Sequence, residues 1–106
     1  MSRVMRAVII TEGGTGIDLA QYAAWTYYLG KQIRLRPDAE VDTSRFDHVK
    51  DLIGKAKAVA VYDSRNGETA DVAVEFGDDI PGGHDCSGTC ALHRGLWFGV
   101  NHIEIT

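Results

Sequence analysis

No stretch of the 106 residues approaches the roughly 20 consecutive apolar side chains that a membrane-spanning helix needs, and Met1 to Met5 lead into no apolar segment long enough for a signal peptide. The expectation is a soluble cytoplasmic protein with no membrane contact. Basic residues are not in excess: 11 lysines and arginines stand against 15 aspartates and glutamates, a formal charge of −4. That balance leaves no electrostatic footprint for nucleic acid, and it is not acidic enough to mimic DNA by composition alone. Only two cysteines are present, too few for a disulfide framework. There is no repeat, low-complexity tract or linker, so residues 1–106 are expected to form a single domain. Its 44% apolar content suffices for a core without cross-links.

What is present reads as alternating strands and helices. Ala7 to Ile10 is a continuous apolar run, as in a strand buried on both faces. Ile17 to Leu29 has helical length and is closed by Gly30. Ile17, Ala20, Ala24 and Tyr27 define its core face. Lys31 to Arg36 alternates, with Ile33 and Leu35 on one phase, which suits an edge strand. A second helix is predicted from Ser44 to about Gly54–Lys57, because Phe46, Val49, Ile53 and Ala56 form a stripe. Ala58 to Tyr62 repeats the central-strand pattern, and Asn66-Gly67 marks a hairpin to Val72, Val74 and Phe76. Residues 77–95 form a loop with five glycines. Leu96, Phe98 and Val100 lie on one phase and Ile103 and Ile105 on the other, which implies a bulge or bend near Asn101. The expected fold is α/β: a small two- or three-layer mixed sheet, β-α-β-α-β-β-loop-β, with two helices and strand order 2-1-3-4-5.

Three candidate sites follow. Within the loop, His84, Cys86, Cys90 and His93 are spaced H-x-C-x-x-x-C-x-x-H, a thiolate and imidazole set that suits zinc. The alternatives for the cysteines are reduced, partly buried thiols or a Cys86–Cys90 disulfide, which the reducing cytoplasm disfavours. Thiol catalysis by either cysteine with a neighbouring histidine is chemically feasible, but spacing alone does not establish it. At the carboxyl ends of the first and third strands, Glu12 and Asp63 are placed to share Mg²⁺ in a catalytic role. Beside them Gly13, Gly14, Thr15 and Gly16 form a candidate phosphate-binding loop, though the segment is neither G-x-G-x-x-G nor a P-loop. V-I-I-T-E-G distantly resembles the glutamate-glycine strand end of topoisomerase-primase domains. The resemblance implies an Mg²⁺ site, but Arg65 stands where that family's second aspartate belongs.

The third site is a helix face. Tyr22, Trp25 and Leu29, spaced i, i+3, i+7, lie apart from the predicted core stripe and form a candidate partner-binding patch. With the catalytic motifs incomplete, the sequence points to a small stand-alone interaction protein, acting as an inhibitor or adaptor. It would bind a macromolecular partner or a second copy of itself through this helix face and the 77–95 loop. A small phosphoester-handling or nucleotide-binding enzyme and a zinc-stabilised module are the rival expectations.

Overall fold

The computed structural model describes residues 8–12, 22–37, 49–65 and 67–106. Six strands form within these segments: β1 (Val8–Thr11), β2 (Gln32–Leu35), β3 (Gly54–Ser64), β4 (Gly67–Glu75), β5 (Gly95–Gly99) and β6 (Ile103–Ile105). A four-residue helix, α1 (Ala23–Thr26), precedes β2, and a 3-10 turn, Val100–His102, separates β5 from β6. The sheet order is β5-β4-β3-β2-β6, with β1 also paired to β3, and every pairing is antiparallel. The α/β fold with two helices and order 2-1-3-4-5 is therefore corrected to an antiparallel β architecture.

The hairpin β3–β4 is the spine. Its ladder runs from Lys55 opposite Glu75 to Ser64 opposite Gly67, so the chain reverses between those last two residues. One flank of β3 is shared: β2 pairs at Gly54 and Lys55, and β1 pairs from Ala58 to Val61. β5 and β6 are the two ends of the strand order, yet only three residues separate them in the chain. The sheet must therefore curl to bring its two ends toward each other, which wraps it around an apolar interior. Ile33 and Leu35 of β2 face Val74, Phe76, Phe98 and Ile103 across that interior, and Phe76 and Phe98 meet edge to face with ring centroids 6.5 Å apart.

The alternation expected of β2 is observed, with Ile33 and Leu35 buried and Gln32 and Arg34 exposed. It is not an edge strand, because it pairs with both β3 and β6. The phase change near Asn101 is the 3-10 turn itself, which hands the chain from β4 to β2. On the exposed side of that junction Arg34 lies directly opposite Glu104, with an N–O separation of 2.6 Å.

The second helix does not reach Gly54–Lys57, since these residues open β3; Ser44 to His48 lie outside the described residues. Gly54 belongs to the strand for a steric reason. A β-carbon there would collide with the Val74 side chain and come within 2.9 Å of the Glu75 carbonyl oxygen. The first helix is described only from Tyr22 onward, and Gly30 closes that turn region with a left-handed φ of 77°, the conformation glycine adopts without steric cost. Ile17 and Ala20 of the expected core face lie outside the described residues, and the described residues are placed opposite to expectation. Tyr27 is 62% exposed and Ala24 is exposed, whereas Tyr22, Trp25 and Leu29 are half-buried against the main core.

A methyl group at Gly54 overpacks the start of β3, so Gly54→Ala is expected to destabilise by about 1–3 kcal/mol. Gly77→Ala, where the added carbon meets no atom within 4 Å, is expected to stay within about 0.5 kcal/mol of wild type. Thermal melts of the two variants check this pair; equal midpoints would contradict the packing of β3 on β4.

Candidate functional site

The outer face of the β3–β4–β5 sheet carries the feature with most chemistry. A bulge at Lys57 shifts the β3 phase between Ala56 and Ala58. Ala58 and Ala73 therefore lie together on the face opposite the main core, where Cys86 and Cys90 cover them and Trp97 packs alongside. Small alanines leave room for the two thiols, and glycine at position 95 does the same. A β-carbon at Gly95 would lie 2.6 Å from Cys90 Cβ and 2.8 Å from Cys86 Sγ.

The loop that brings the cysteines there is a series of turns. Gly83 N–H donates to the Ile80 carbonyl at 2.9 Å, with Pro81 and a left-handed Gly82 between them, the residue pattern of a type II turn. Thr89 N–H donates to the Cys86 carbonyl at 3.3 Å across Ser87 and Gly88, both with positive φ, as in a primed turn. Arg94 N–H donates to the Ala91 carbonyl at 3.0 Å across a left-handed His93. The turns are tied back to the sheet. Phe76 N–H donates to the Arg94 carbonyl, Ile80 N–H to the His93 carbonyl, and His84 and Gly95 exchange both backbone hydrogen bonds. Side chains add to this: Glu75 Oε2 accepts from Ala91 N–H at 2.7 Å, and Arg94 reaches Asp79 at 3.1 Å and the Gly77 carbonyl at 3.0 Å. Backbone groups that lack ladder partners are thus satisfied locally.

The four residues of the candidate zinc set divide into two environments. Cys86 and Cys90 are buried reduced thiols, while His84 and His93 are exposed. His84 Nδ1 accepts a hydrogen bond from Cys86 N–H at 2.9 Å, which occupies that nitrogen's lone pair. Among the described residues, which include all four, no three His, Cys, Asp or Glu side chains gather in a way that could hold a metal ion. The two thiols do meet, and they polarise each other. Cys86 is pushed far above the ordinary thiol range, first by its hydrogen bond to Cys90 and then by burial. Cys90 is held below that range, chiefly because the Cys86 thiol donates to it. The Thr89 hydroxyl and the Lys57 ammonium support the Cys90 thiolate, whereas burial and Glu75 oppose it.

Glu12 and Asp63 do not come together. β1 runs antiparallel to β3, with Thr11 opposite Ala58, five residues before Asp63. At ~3.3 Å per residue those five steps span roughly 16 Å, too far for both carboxylates to ligate one Mg²⁺ at about 2.1 Å. Glu12 instead pairs with Lys55 at 3.5 Å beside Gly30. The parallel strand ends implied by the topoisomerase-primase resemblance are absent from this pairing. Gly13 to Gly16 lie outside the described residues.

Trp25 is half-buried against the core, and its Nε1 donates to Glu68 Oε1 at 2.7 Å at the surface. An open groove lined by Arg34, Arg36, Lys50 and Ile53 involves none of the candidate residues. Sequence reasoning missed a polar cluster on the outer face. Tyr62 Oη donates to Asp71 Oδ1 at 3.1 Å, and burial followed by the Asp71 charge raises the Tyr62 phenol's pKa. Both Asp71 Oδ1 and the His102 ring lie within 4 Å of where a Gly99 β-carbon would sit. The signal is present only in the register, which puts Ala60 opposite Asp71 and Asp71 opposite Gly99. Lys57 and Glu75 were missed as neighbours of the thiols for the same reason.

Because Gly95 leaves the space the sulfurs occupy, Gly95→Ala is expected to force the loop off the sheet. Both thiols should then react with an aromatic disulfide reagent at least about tenfold faster than in wild type, the equivalent of ~1.4 kcal/mol in local opening. Wild-type thiols that react as fast as free cysteine would contradict the buried placement. Comparison of the chain with protein-family models, with curated proteins and with solved structures gives no significant match.

Proposed function

We propose that the protein is a binding module, an adaptor or inhibitor, that meets a protein partner through the 77–95 loop. The observation that carries this reading is Leu92, 62% exposed at the centre of the Ala91–Arg94 turn, next to a non-glycine residue, His93, held at φ 68°. Left-handed backbone at a side-chain-bearing residue costs of order 1 kcal/mol and persists where the surroundings impose it. Here the imposing contacts are the Ile80 N–H bond to the His93 carbonyl and the Arg94 anchors.

A loop fixed in this way has already met its ordering cost during folding. A partner that takes Leu92 into an apolar socket gains about 1.5–3 kcal/mol from that side chain without immobilising the loop again. The helix face formed by Tyr22, Trp25 and Leu29 drops out of the proposal because it packs against the protein's own core. The metal-dependent enzyme loses its support through the separation of Glu12 from Asp63.

A photo-crosslinking amino acid placed at position 92 in cells is expected to give a discrete adduct that the same group at Lys57 does not give. Introducing His93→Gly should preserve that adduct, since the turn survives, and Arg94→Ala should reduce it several-fold. Sedimentation of the purified protein then separates a second copy from a different partner. Discrete adducts at position 57 with none at 92 would overturn the proposal.

A further inference from the structure

Nothing in the binding reading uses the two thiols as chemical groups, yet their placement favours a reaction. Cys86 is fully buried and Cys90 is 8% exposed, so Cys90 is the residue nearer to solvent. Cys90 Cβ and Cys86 Sγ crowd the same point, lying 2.6 and 2.8 Å from where a Gly95 β-carbon would sit. The turn between them is closed by Cys90 N–H donating to the Asp85 carbonyl at 2.8 Å and by Thr89 Oγ1 donating to the Cys86 carbonyl at 2.7 Å. Thr89 Oγ1 also lies 4.0 Å from Cys90 Sγ. The turn thus holds both cysteines in one buried cluster over Ala58 and Ala73, with a cation, Lys57, in the vicinity of Cys90.

We propose that Cys86 and Cys90 are a peroxide-oxidisable pair, with Cys90 as the attacking sulfur and Cys86 as the resolving one. The Cys90 thiolate attacks one oxygen of hydrogen peroxide. The O–O bond breaks, Cys90 becomes a sulfenic acid, and hydroxide leaves. Hydroxide takes the proton of the Cys86 thiol and becomes water. The Cys86 thiolate then attacks the Cys90 sulfur, the S–S bond forms, and the S–O bond breaks with loss of a second hydroxide. That hydroxide is neutralised by the proton Cys90 gave up on ionising. In sum, two thiols and one hydrogen peroxide give one disulfide and two waters, and an external dithiol reverses the change.

Peroxide is close to water in size, so small local fluctuations admit it to a sulfur that is nearly buried, while bulky oxidants are excluded. The assignment of roles follows from exposure, because the attacking cysteine must be the one the oxidant reaches first, and Cys90 is the more accessible of the two. The two cysteines sit against the sheet whether or not the loop has a partner.

The test is intact-mass analysis of the folded protein during titration with hydrogen peroxide. Wild type is expected to lose two hydrogens and both titratable thiols without unfolding, and dithiothreitol should restore them. In Cys86→Ser the reaction should stop at a Cys90 sulfenic acid that dimedone traps, whereas Cys90→Ser should oxidise at least about tenfold more slowly. If neither variant folds, peptide mapping of wild type after substoichiometric peroxide and dimedone carries the test, with label expected on Cys90 alone. Thiols that persist in folded wild type under excess peroxide, or label found first on Cys86, would overturn the proposal.

Discussion

Contact between two alanines and two cysteines across the outer face of the sheet holds the most distinctive part of this molecule in place. Ala58 and Ala73 are small enough for Cys86 and Cys90 to approach the β3–β4 ladder, and Gly95 removes the one β-carbon that would block them. Without that cover, β3 would expose an apolar face that strands of this composition rarely leave in water. With it, a loop rich in glycine has a reason to lie down. The turns at Ile80, Cys86 and Ala91 then satisfy backbone groups that would otherwise need solvent.

The same contact explains why the apolar runs suggest an α/β fold. Ala58 to Val61 are buried on both faces, as an unbroken apolar run suggests. In most sheets with such a strand, helices cover the second face and the strands run parallel. Here a loop supplies the cover, and its two anchoring residues are cysteines whose spacing resembles a metal motif. Composition cannot separate a thiol that binds zinc from a thiol that fills a gap over alanine. Register shows what lies beneath these two, the side chains of Ala58 and Ala73. The hairpin at Ser64 and Gly67, the phase of Ile33 and Leu35, and the break near Asn101 were legible because each depends on local turn chemistry or periodicity. The curl of the sheet was not, because it depends on β6 returning to β2 across the whole chain. The first helix was misphased for a related reason: Trp25 packs toward the core while its indole nitrogen reaches Glu68, and its amphipathic ring suits either side of the helix.

Pinning a long loop by its own turns has a functional consequence that differs from pinning by a metal. A zinc-held loop would depend on chelators and on pH through ligand protonation. A loop held by backbone bonds and buried sulfurs depends on packing. Its exposed residues, Leu92 and His93, are then displayed in one arrangement, which suits recognition. Its buried residues, Cys86 and Cys90, sit where an added atom or a lost proton is felt by the whole turn.

Amide hydrogen exchange of the reduced protein in the presence of a strong chelator measures the central claim most directly. The amides of Phe76, Ile80, His84, Cys90, Ala91 and Gly95 all donate within the protein, so they should exchange far more slowly than an unfolded chain without any metal present. Exchange at unprotected rates across these residues, with the β3–β4 ladder still protected, would contradict it.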